Sequence, residues 1–230
     1  MSLYLILNIA SLSIPLLYSF EKKMRFIQWW KEVFLSISIV AAFFIIWDII
    51  FTNQGVWGFN PTYLIGFDIL NLPLEEWLFF ICIPYASIFI HYAFQYFLPN
   101  KKLSKPTTKI ITIALIILLI ITLVFNYDKA YTFYNYLLLS LILSYSLFTD
   151  NKQLSIFYIT FMIILIPFFI VNGILTGSFI EGQVVWYNNA ENLGIRIATI
   201  PIEDIGYAFN MLFMSILLIE MFKNKWKTVK

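Results

Sequence analysis

The sequence predicts an all-α bundle of about seven membrane-spanning helices. Of its 230 residues, 61% are hydrophobic and 12% are charged, and apolar runs of spanning length recur along the chain. A soluble domain carries about 25% charged residues, and a spanning helix needs about 20 mostly apolar residues. The composition therefore excludes a water-soluble globule, a disordered chain, a disulfide scaffold and a fibrous repeat.

Seven apolar runs are candidates for the spanning helices. In chain order they cover residues 2–20, 33–52, 77–98, 109–126, 130–148, 154–172 and 205–222. The first run does not have the pattern of a secretory signal, because its charged residues, such as Glu21 and Lys22, follow the apolar segment instead of preceding it. We expect it to be a retained first span.

The basic residues predict the orientation of these spans. With the N-terminus outside, 13 of the 15 Lys and Arg residues fall in inner segments, Lys227 and Lys230 among them, and only Lys129 and Arg196 fall outside. Cytoplasmic loops are rich in Lys and Arg. We therefore expect a multi-pass protein of the cell (inner) membrane with an outer N-terminus and a cytoplasmic C-terminus.

The two long outer connections, residues 53–76 and 173–204, resemble each other at a constant offset of 128. The identical pairs are Asn60/Asn188, Gly66/Gly194, Ile69/Ile197, Pro73/Pro201 and Glu75/Glu203. Three helices and one linker helix then separate the copies, and this even number predicts two parallel repeats. The predicted domains are a first repeat over 1–98, a linker with an extra helix over 99–129, and a second repeat over 130–230.

Each repeat opens its last helix with a proline, one aliphatic residue and two acidic residues. The pairs are Glu75 with Glu76, and Glu203 with Asp204. Proline and acidic residues are favoured in a first helical turn, and Asn71 and Thr199 are candidate N-caps. One copy alone is explained by capping, but the duplication favours a chemical role. The helix dipole favours the anion, whereas burial and the adjacent like charge favour the protonated acid, so one carboxyl of each pair is a candidate general acid.

Four further residues are candidates for polar roles. Asp48 lies in the second span, where a charge is costly and therefore indicates function or an interfacial position; its repeat partner is Asn172. His91, in the third span, is a proton relay or, with more weight, an interhelical hydrogen-bonding group. Glu220 is expected at the inner interface. Arg196 is expected to pair with one of the carboxylates.

Several classes of chemistry have no support in the sequence. A single His and a single Cys, Cys82, do not build a metal site, and no phosphate-binding or dinucleotide motif is present. The last span has no Lys for a retinal Schiff base, and no DxxxD motif for metal-bound diphosphate is found. The short basic flanks give no support for nucleic-acid binding. We therefore expect no cofactor and no metal.

The chain resembles the fused or heterodimeric type of lycopene cyclase over essentially its whole length. The resemblance rests on Trp47-Asp48, on the segment from Gly55 to Phe59, on Pro73-Leu74-Glu75-Glu76-Trp77-Leu78-Phe79-Phe80, and on Pro201-Ile202-Glu203-Asp204. It implies non-redox cyclisation of the linear ψ-ends of lycopene to the β-rings of β-carotene without a flavin fold. It also implies an apolar carotenoid and the lipid bilayer as partners, and it allows contact with other carotenoid-biosynthesis enzymes.

This chemistry needs a proton donor, an environment that tolerates a carbocation, and a base. The candidate acid/base residues are Glu75, Glu76, Glu203, Asp204 and Asp48, with Glu75 or Glu76 as the essential acid. Aromatic faces stabilise cations. The candidate substrate-binding residues, several of them aromatic side chains near the carboxylates in sequence, are Trp47, Trp57, Trp77, Phe79, Phe80, Asn172 and Tyr207.

Two other functions remain open at this point. Parallel repeats and intramembrane carboxylates also suit a small proton-coupled transporter. The apolar character of spans four to six argues against a carrier for polar solutes. The third possibility is a non-catalytic membrane protein that binds lipid or carotenoid, or that scaffolds a carotenoid enzyme.

Overall fold

The computed structural model of the chain describes residues 2–227 and places seven α-helices there. The helices are α1 (Leu3–Tyr18), α2 (Trp30–Asn53), α3 (Leu74–Phe97), α4 (Lys105–Phe125), α5 (Ala130–Phe148), α6 (Lys152–Leu175) and α7 (Glu203–Lys227). Each matches one predicted span, so the all-α helical bundle is confirmed. Lys230, which was counted among the inner basic residues, lies outside the described part of the chain.

Five of these helices are long and apolar enough to cross a membrane: α2, α3, α4, α6 and α7. The α1 helix is a shorter apolar helix of 16 residues, and α5 has 19 residues with several polar side chains. Membrane crossing by α1 and α5 stays a prediction. A chain with five such helices has the character of a membrane protein.

The long connections contain short strands instead of an irregular surface loop. After α2 come β1 (Trp57–Phe59), β2 (Asp68–Ile69) and β3 (Leu72–Pro73), and after α6 come β4 (Val185–Tyr187), β5 (Arg196–Ile197) and β6 (Ile200–Pro201). β2 pairs with β3 and β5 pairs with β6, both antiparallel. The two hairpins match residue for residue at the predicted offset of 128, and each leads directly into α3 or α7.

The turns of the two hairpins have the same strained backbone. Leu70 has φ 58° and Ala198 has φ 55°, and both lie in the left-handed region that side chains other than glycine rarely adopt. Gly66 and Gly194 have φ 85° and 70°. The internal repeat therefore extends from sequence to backbone conformation.

The predicted caps are wrong. Asn71 donates its Nδ2 to the carbonyl oxygen of Ile49, and Thr199 exchanges hydroxyl hydrogen bonds with Thr176 and Ser178. The α3 helix instead follows Pro73, which offers no side-chain cap. The side chains that were expected to cap the helices tie the hairpins to the preceding segments instead.

The described chain forms two compact units. The first holds residues 2–54, 59–99 and 211–227, and the second holds residues 55–58 and 100–210. The first unit contains α1, α2, α3 and most of α7, with Phe26, Phe44 and Phe80 fully buried in its core. The second contains α4, α5, α6 and the start of α7, with Leu143 and Phe157 fully buried. The predicted domain boundaries stay a prediction.

Gly206 allows the start of α7 to lie against α5 in the second unit. A Cβ atom at this position would come within 3.2 Å of Cε1 of Tyr136 and 3.5 Å of Nδ2 of Asn135. The close approach brings the first turn of α7, with its two acidic residues, next to the polar side chains at the start of α5.

Candidate active site

In the first unit, Glu75 is fully buried at the start of α3. Its Oε1 accepts hydrogen bonds from the Ser2 hydroxyl at 2.6 Å and from the backbone N–H of Ile65 at 2.7 Å. Its Oε2 is also buried and has no hydrogen-bond partner among the described residues. Asn8 of α1 donates to the Glu75 backbone oxygen at 2.8 Å and thereby fixes the first turn of α3.

The neighbouring Glu76 is buried as well and points to a different partner. Its Oε2 accepts a hydrogen bond from the Tyr4 hydroxyl at 2.5 Å. Adjacent helical residues point about 100° apart, so Glu75 contacts the N-cap residue Ser2, whereas Glu76 contacts Tyr4 inside α1. The pair is therefore held in place by side chains at the start of the first helix and by the Ile65 backbone before the hairpin.

The second unit repeats this arrangement around Glu203. Its Oε1 accepts from the Thr132 hydroxyl at 2.7 Å and from the backbone N–H of Leu193 at 2.7 Å. Its Oε2 is buried without a hydrogen-bond partner in the described chain. Asn135 of α5 donates to the Glu203 backbone oxygen at 2.6 Å.

Asp204 is surrounded by three donors in the second unit. Its Oδ1 accepts from the Tyr131 hydroxyl at 2.6 Å. Its Oδ2 accepts from the Tyr187 hydroxyl at 3.0 Å and from Nδ2 of Asn172 at 3.2 Å. Asn172, a candidate substrate-binding residue, therefore makes a direct hydrogen bond to the second acidic pair.

Four aromatic rings form a cluster beside Asp204. Trp57 lies edge-on to Tyr131 with ring centroids 5.1 Å apart, and it also contacts Tyr187 and Tyr207. Tyr131 stacks on Tyr187 with centroids 5.9 Å apart. Of the predicted substrate-binding residues, Trp57 and Tyr207 therefore lie together, and both lie in the second unit.

The first unit has fewer aromatic rings beside its carboxyl groups. Tyr4 and Phe79 are 6.1 Å apart between centroids, and Phe79 contacts Phe80. Trp47 stacks on Phe44 in α2. Trp77 is half-buried and donates its Nε1 to the backbone oxygen of Ile69 in the hairpin.

Asp48 is buried in α2, which contradicts the alternative of an interfacial Asp in contact with water. Thr52, one turn later, donates to its Oδ1 at 3.3 Å. The corresponding positions of α6 are Asn172 and Thr176, where the Thr176 hydroxyl donates to the Asn172 backbone oxygen. The two units thus differ in charge at this position.

The sequence did not indicate the hydrogen-bond donors in α1, at its N-cap and in α5. These donors are Ser2, Tyr4, Asn8, Tyr131, Thr132 and Asn135. The offset of 128 aligns Tyr4 with Thr132 and hides the match. An offset of 127 aligns Tyr4 with Tyr131 and Asn8 with Asn135, which are the pairs that occupy equivalent places. The missed signal was a one-residue difference in spacing between the first and last helices of the two repeats.

The remaining polar candidates take other partners. His91 is fully buried, and its Nε2 lies 2.7 Å from Nε2 of Gln95 on the same helix. Glu220 accepts from the Tyr92 hydroxyl at 2.6 Å and from Lys223 at 3.0 Å. Arg196 donates to the Thr199 backbone oxygen and to Asn189, and it forms no direct ion pair with a carboxylate of the described residues.

Metal binding has no visible basis in the described residues. No group of three or more His, Cys, Asp and Glu side chains comes together as possible ligands there. The carboxyl groups of each unit are instead surrounded by hydroxyl, amide and aromatic groups.

A bundle of apolar helices that repeats a buried pair of carboxyl groups is typical of a membrane protein whose carboxyl groups can donate and accept protons. The family model described as lycopene cyclase matches residues 1–94 and 128–222, as two tandem segments. The chain therefore belongs to the lycopene cyclase family, an enzyme family of carotenoid biosynthesis. No curated protein and no solved structure matches the chain.

Proposed function

We propose that this protein is a membrane-embedded lycopene β-cyclase that closes rings by acid/base catalysis without redox chemistry. The observation that carries the proposal is the buried, unpartnered Oε2 of Glu75 and of Glu203. Each lies next to a second buried carboxyl group that accepts a tyrosine hydrogen bond. Such a pair can supply one proton donor and one proton acceptor.

Glu75 and Glu203 are the proposed acids. In each, Oε1 already accepts two hydrogen bonds. When the carboxyl group is protonated, the hydrogen therefore resides on Oε2, the oxygen that has no donor facing it. That hydrogen is then available to a carbon–carbon double bond, which cannot compete as a hydrogen-bond acceptor but can accept a proton.

Glu76 and Asp204 are the proposed bases. Both accept a hydrogen bond from a tyrosine hydroxyl, and Asp204 accepts two more from Tyr187 and Asn172. Donors face both oxygens of Asp204, which matches the ionised form, in which both oxygens only accept. Glu76 is assigned the same role because it holds the equivalent position and also accepts from a tyrosine hydroxyl. These groups take up the proton that the ring loses.

The reaction conserves atoms and electrons. Protonation of the terminal double bond produces a tertiary cation, and a neighbouring double bond attacks it to close a six-membered ring. Ring closure leaves a second tertiary cation on the far carbon of the attacking double bond, and loss of a proton from the attacking carbon beside it restores a double bond and gives the β-ring. One proton enters and one leaves, so the step needs no oxidant or reductant.

The aromatic rings are proposed to stabilise the cation. Trp57, Tyr131, Tyr187 and Tyr207 in the second unit, and Tyr4 and Phe79 in the first, present electron-rich faces beside the carboxyl groups. In a dry site such a face is worth about 2 kcal/mol or more to a cation. The carboxyl pair forms the positively charged intermediate by protonating the substrate, and the aromatic rings stabilise that intermediate.

Lycopene is a hydrocarbon, so the proposal includes a membrane location. The five long apolar helices support it, and the basic residues favour an outer N-terminus and a cytoplasmic C-terminus in the inner membrane. The carboxyl pairs then lie at the outer ends of α3 and α7. Substrate and product stay dissolved in the bilayer.

The test is expression of the Glu75→Gln/Glu203→Gln double variant in cells that make lycopene. Because a positioned general acid contributes roughly 100- to 10,000-fold, we expect ring formation to fall at least about 100-fold, with unchanged protein level. Glu32→Gln is the matched control, since Glu32 also has a buried, unpartnered Oε2 but lies at the start of α2. A double variant that still forms β-rings at the control rate contradicts the proposal.

Pigment analysis also separates the other two functions. A transporter or a non-catalytic carotenoid-binding protein leaves lycopene unchanged when the intact chain is expressed. Formation of β-rings by the intact chain, lost in the double variant, is the result that we expect.

A further inference from the structure

We infer that the chain carries two complete cyclisation sites, one in each compact unit, and that they act in parallel. This inference rests on the proposed function and adds the number of sites to it. The alternative is a single composite site to which both acidic pairs contribute.

Each acidic pair has its own full set of hydrogen-bond donors. The distances around Glu75 and Glu203 agree within 0.2 Å: 2.6 and 2.7 Å for the hydroxyl donor, 2.7 and 2.7 Å for the backbone N–H, and 2.8 and 2.6 Å for the asparagine at the backbone oxygen. All partners of Glu75 lie in the first unit, and all partners of Glu203 lie in the second.

The feature that both units share, a buried carboxyl oxygen without a hydrogen bond, is costly for a merely structural role. A buried polar atom without a hydrogen bond destabilises the fold. Both units keep such an atom, at Glu75 Oε2 and at Glu203 Oε2. At Glu75 and Glu203, unlike at Glu32, the empty oxygen lies next to a second buried carboxyl group that accepts a tyrosine hydrogen bond, which a helix start does not require.

Both units also have a pair of neighbouring aromatic rings beside their carboxyl groups. Tyr4 and Phe79 are 6.1 Å apart in the first unit, and Tyr131 and Tyr207 are 6.2 Å apart in the second. Each unit therefore holds a donor carboxyl, an acceptor carboxyl and an aromatic face. These are the three groups that the reaction requires.

The sites are complete but not identical. The first has Asp48 where the second has Asn172, and it has Phe79 where the second has Tyr207. The second alone contains the four-ring cluster around Trp57. We therefore expect the two sites to contribute unequally to the total rate.

The experiment measures initial rates of ring formation in membranes that contain the full chain, with lycopene supplied in liposomes and both rings counted. It compares Glu75→Gln, Glu203→Gln and the double variant with the intact protein. Parallel sites predict that each single variant keeps a measurable share, that the two residual rates add up to the intact rate, and that the double variant falls at least about 100-fold.

Three different patterns of rates would contradict the two parallel sites or the proposed function itself. If each single variant is as inactive as the double variant, the site is composite and the proposed function stands. If one single variant keeps the full rate and the other keeps none, only one site works. If the double variant retains the full rate, the proposed function itself fails.

A second pair of variants guards against misfolding. Tyr4→Phe and Tyr131→Phe keep both rings and remove only the hydroxyl donors to Glu76 and Asp204. Parallel sites again predict that each Tyr variant lowers only the rate that depends on its own unit. A Tyr4→Phe change that abolishes the activity left in Glu203→Gln and also the activity left in Glu75→Gln contradicts parallel sites.

Discussion

At the scale of single residues, the hydrogen-bond donors matter as much as the acids. Glu75 and Glu203 have one saturated and one empty carboxyl oxygen, and this asymmetry is produced by Ser2, Thr132 and two backbone N–H groups. Without these donors, the proton of the acid could sit on either oxygen. In the proposed mechanism, the donors therefore decide where the reactive hydrogen points.

Tyr4 provides the residue-scale prediction. In the Glu203→Gln background, we expect Tyr4→Phe to lower the remaining ring formation about tenfold, because a hydrogen bond to a charged group is worth roughly 1.5–3 kcal/mol. The measurement is the initial rate, with protein level as a control. Tyr18→Phe is the matched control, since Tyr18 is exposed at the end of α1. Equal rates with and without the Tyr4 hydroxyl would count against its role.

At the scale of elements, the two hairpins connect the loops to the acids. The segment just before the β2–β3 hairpin supplies the Ile65 N–H to Glu75, and the segment just before the β5–β6 hairpin supplies the Leu193 N–H to Glu203. The turn of each hairpin contains a left-handed residue, at Leu70 and Ala198. For residues other than glycine, this conformation costs roughly 1–2 kcal/mol.

Ala198 provides the element-scale prediction. A β-branched side chain is a poor fit to positive φ, so we expect Ala198→Val to destabilise the protein by about 1–2 kcal/mol and to lower the midpoint of thermal unfolding. Ala198→Gly is the control that keeps the conformation without a Cβ, and we expect it to be at least as stable as the intact protein. A valine variant that unfolds at the same temperature as the glycine variant would show that the turn is not strained.

At the scale of the whole molecule, the proposed orientation places both acidic pairs on the outer side. The charge distribution supports it, since the segments with many Lys residues are those between the repeats and at the C-terminal end. The structure adds five helices of spanning length. The sidedness stays a prediction that labelling can test.

The orientation is tested with single cysteines in a Cys82→Ala background. We expect Ala190→Cys, in the exposed loop before α7, to react with a membrane-impermeant maleimide on intact cells. We expect Lys102→Cys, in the exposed segment before α4, to react only after the cells are opened. The reverse pattern would place the acidic pairs on the cytoplasmic side.

Much of the fold was predictable because its signals are local. Each of the seven helices is a run of apolar residues, and each acidic pair lies two residues after a proline. Helix positions and candidate acids could therefore be read from short windows of the chain. The offset of 128 also predicted that the two long connections are alike, and the two hairpins, which the sequence did not predict, have this same spacing.

Only the tertiary structure decided which groups meet the acids. Tyr4 and Tyr131 are 72 and 73 residues away from the carboxyl groups that they contact, and the spacing of their helices differs by one residue between the repeats. Trp57 follows the second helix of the first repeat, yet it lies with Tyr131 and Tyr207 in the second unit. Local patterns fix the helices and the acids, whereas hydrogen-bond donors and aromatic neighbours depend on how distant helices pack.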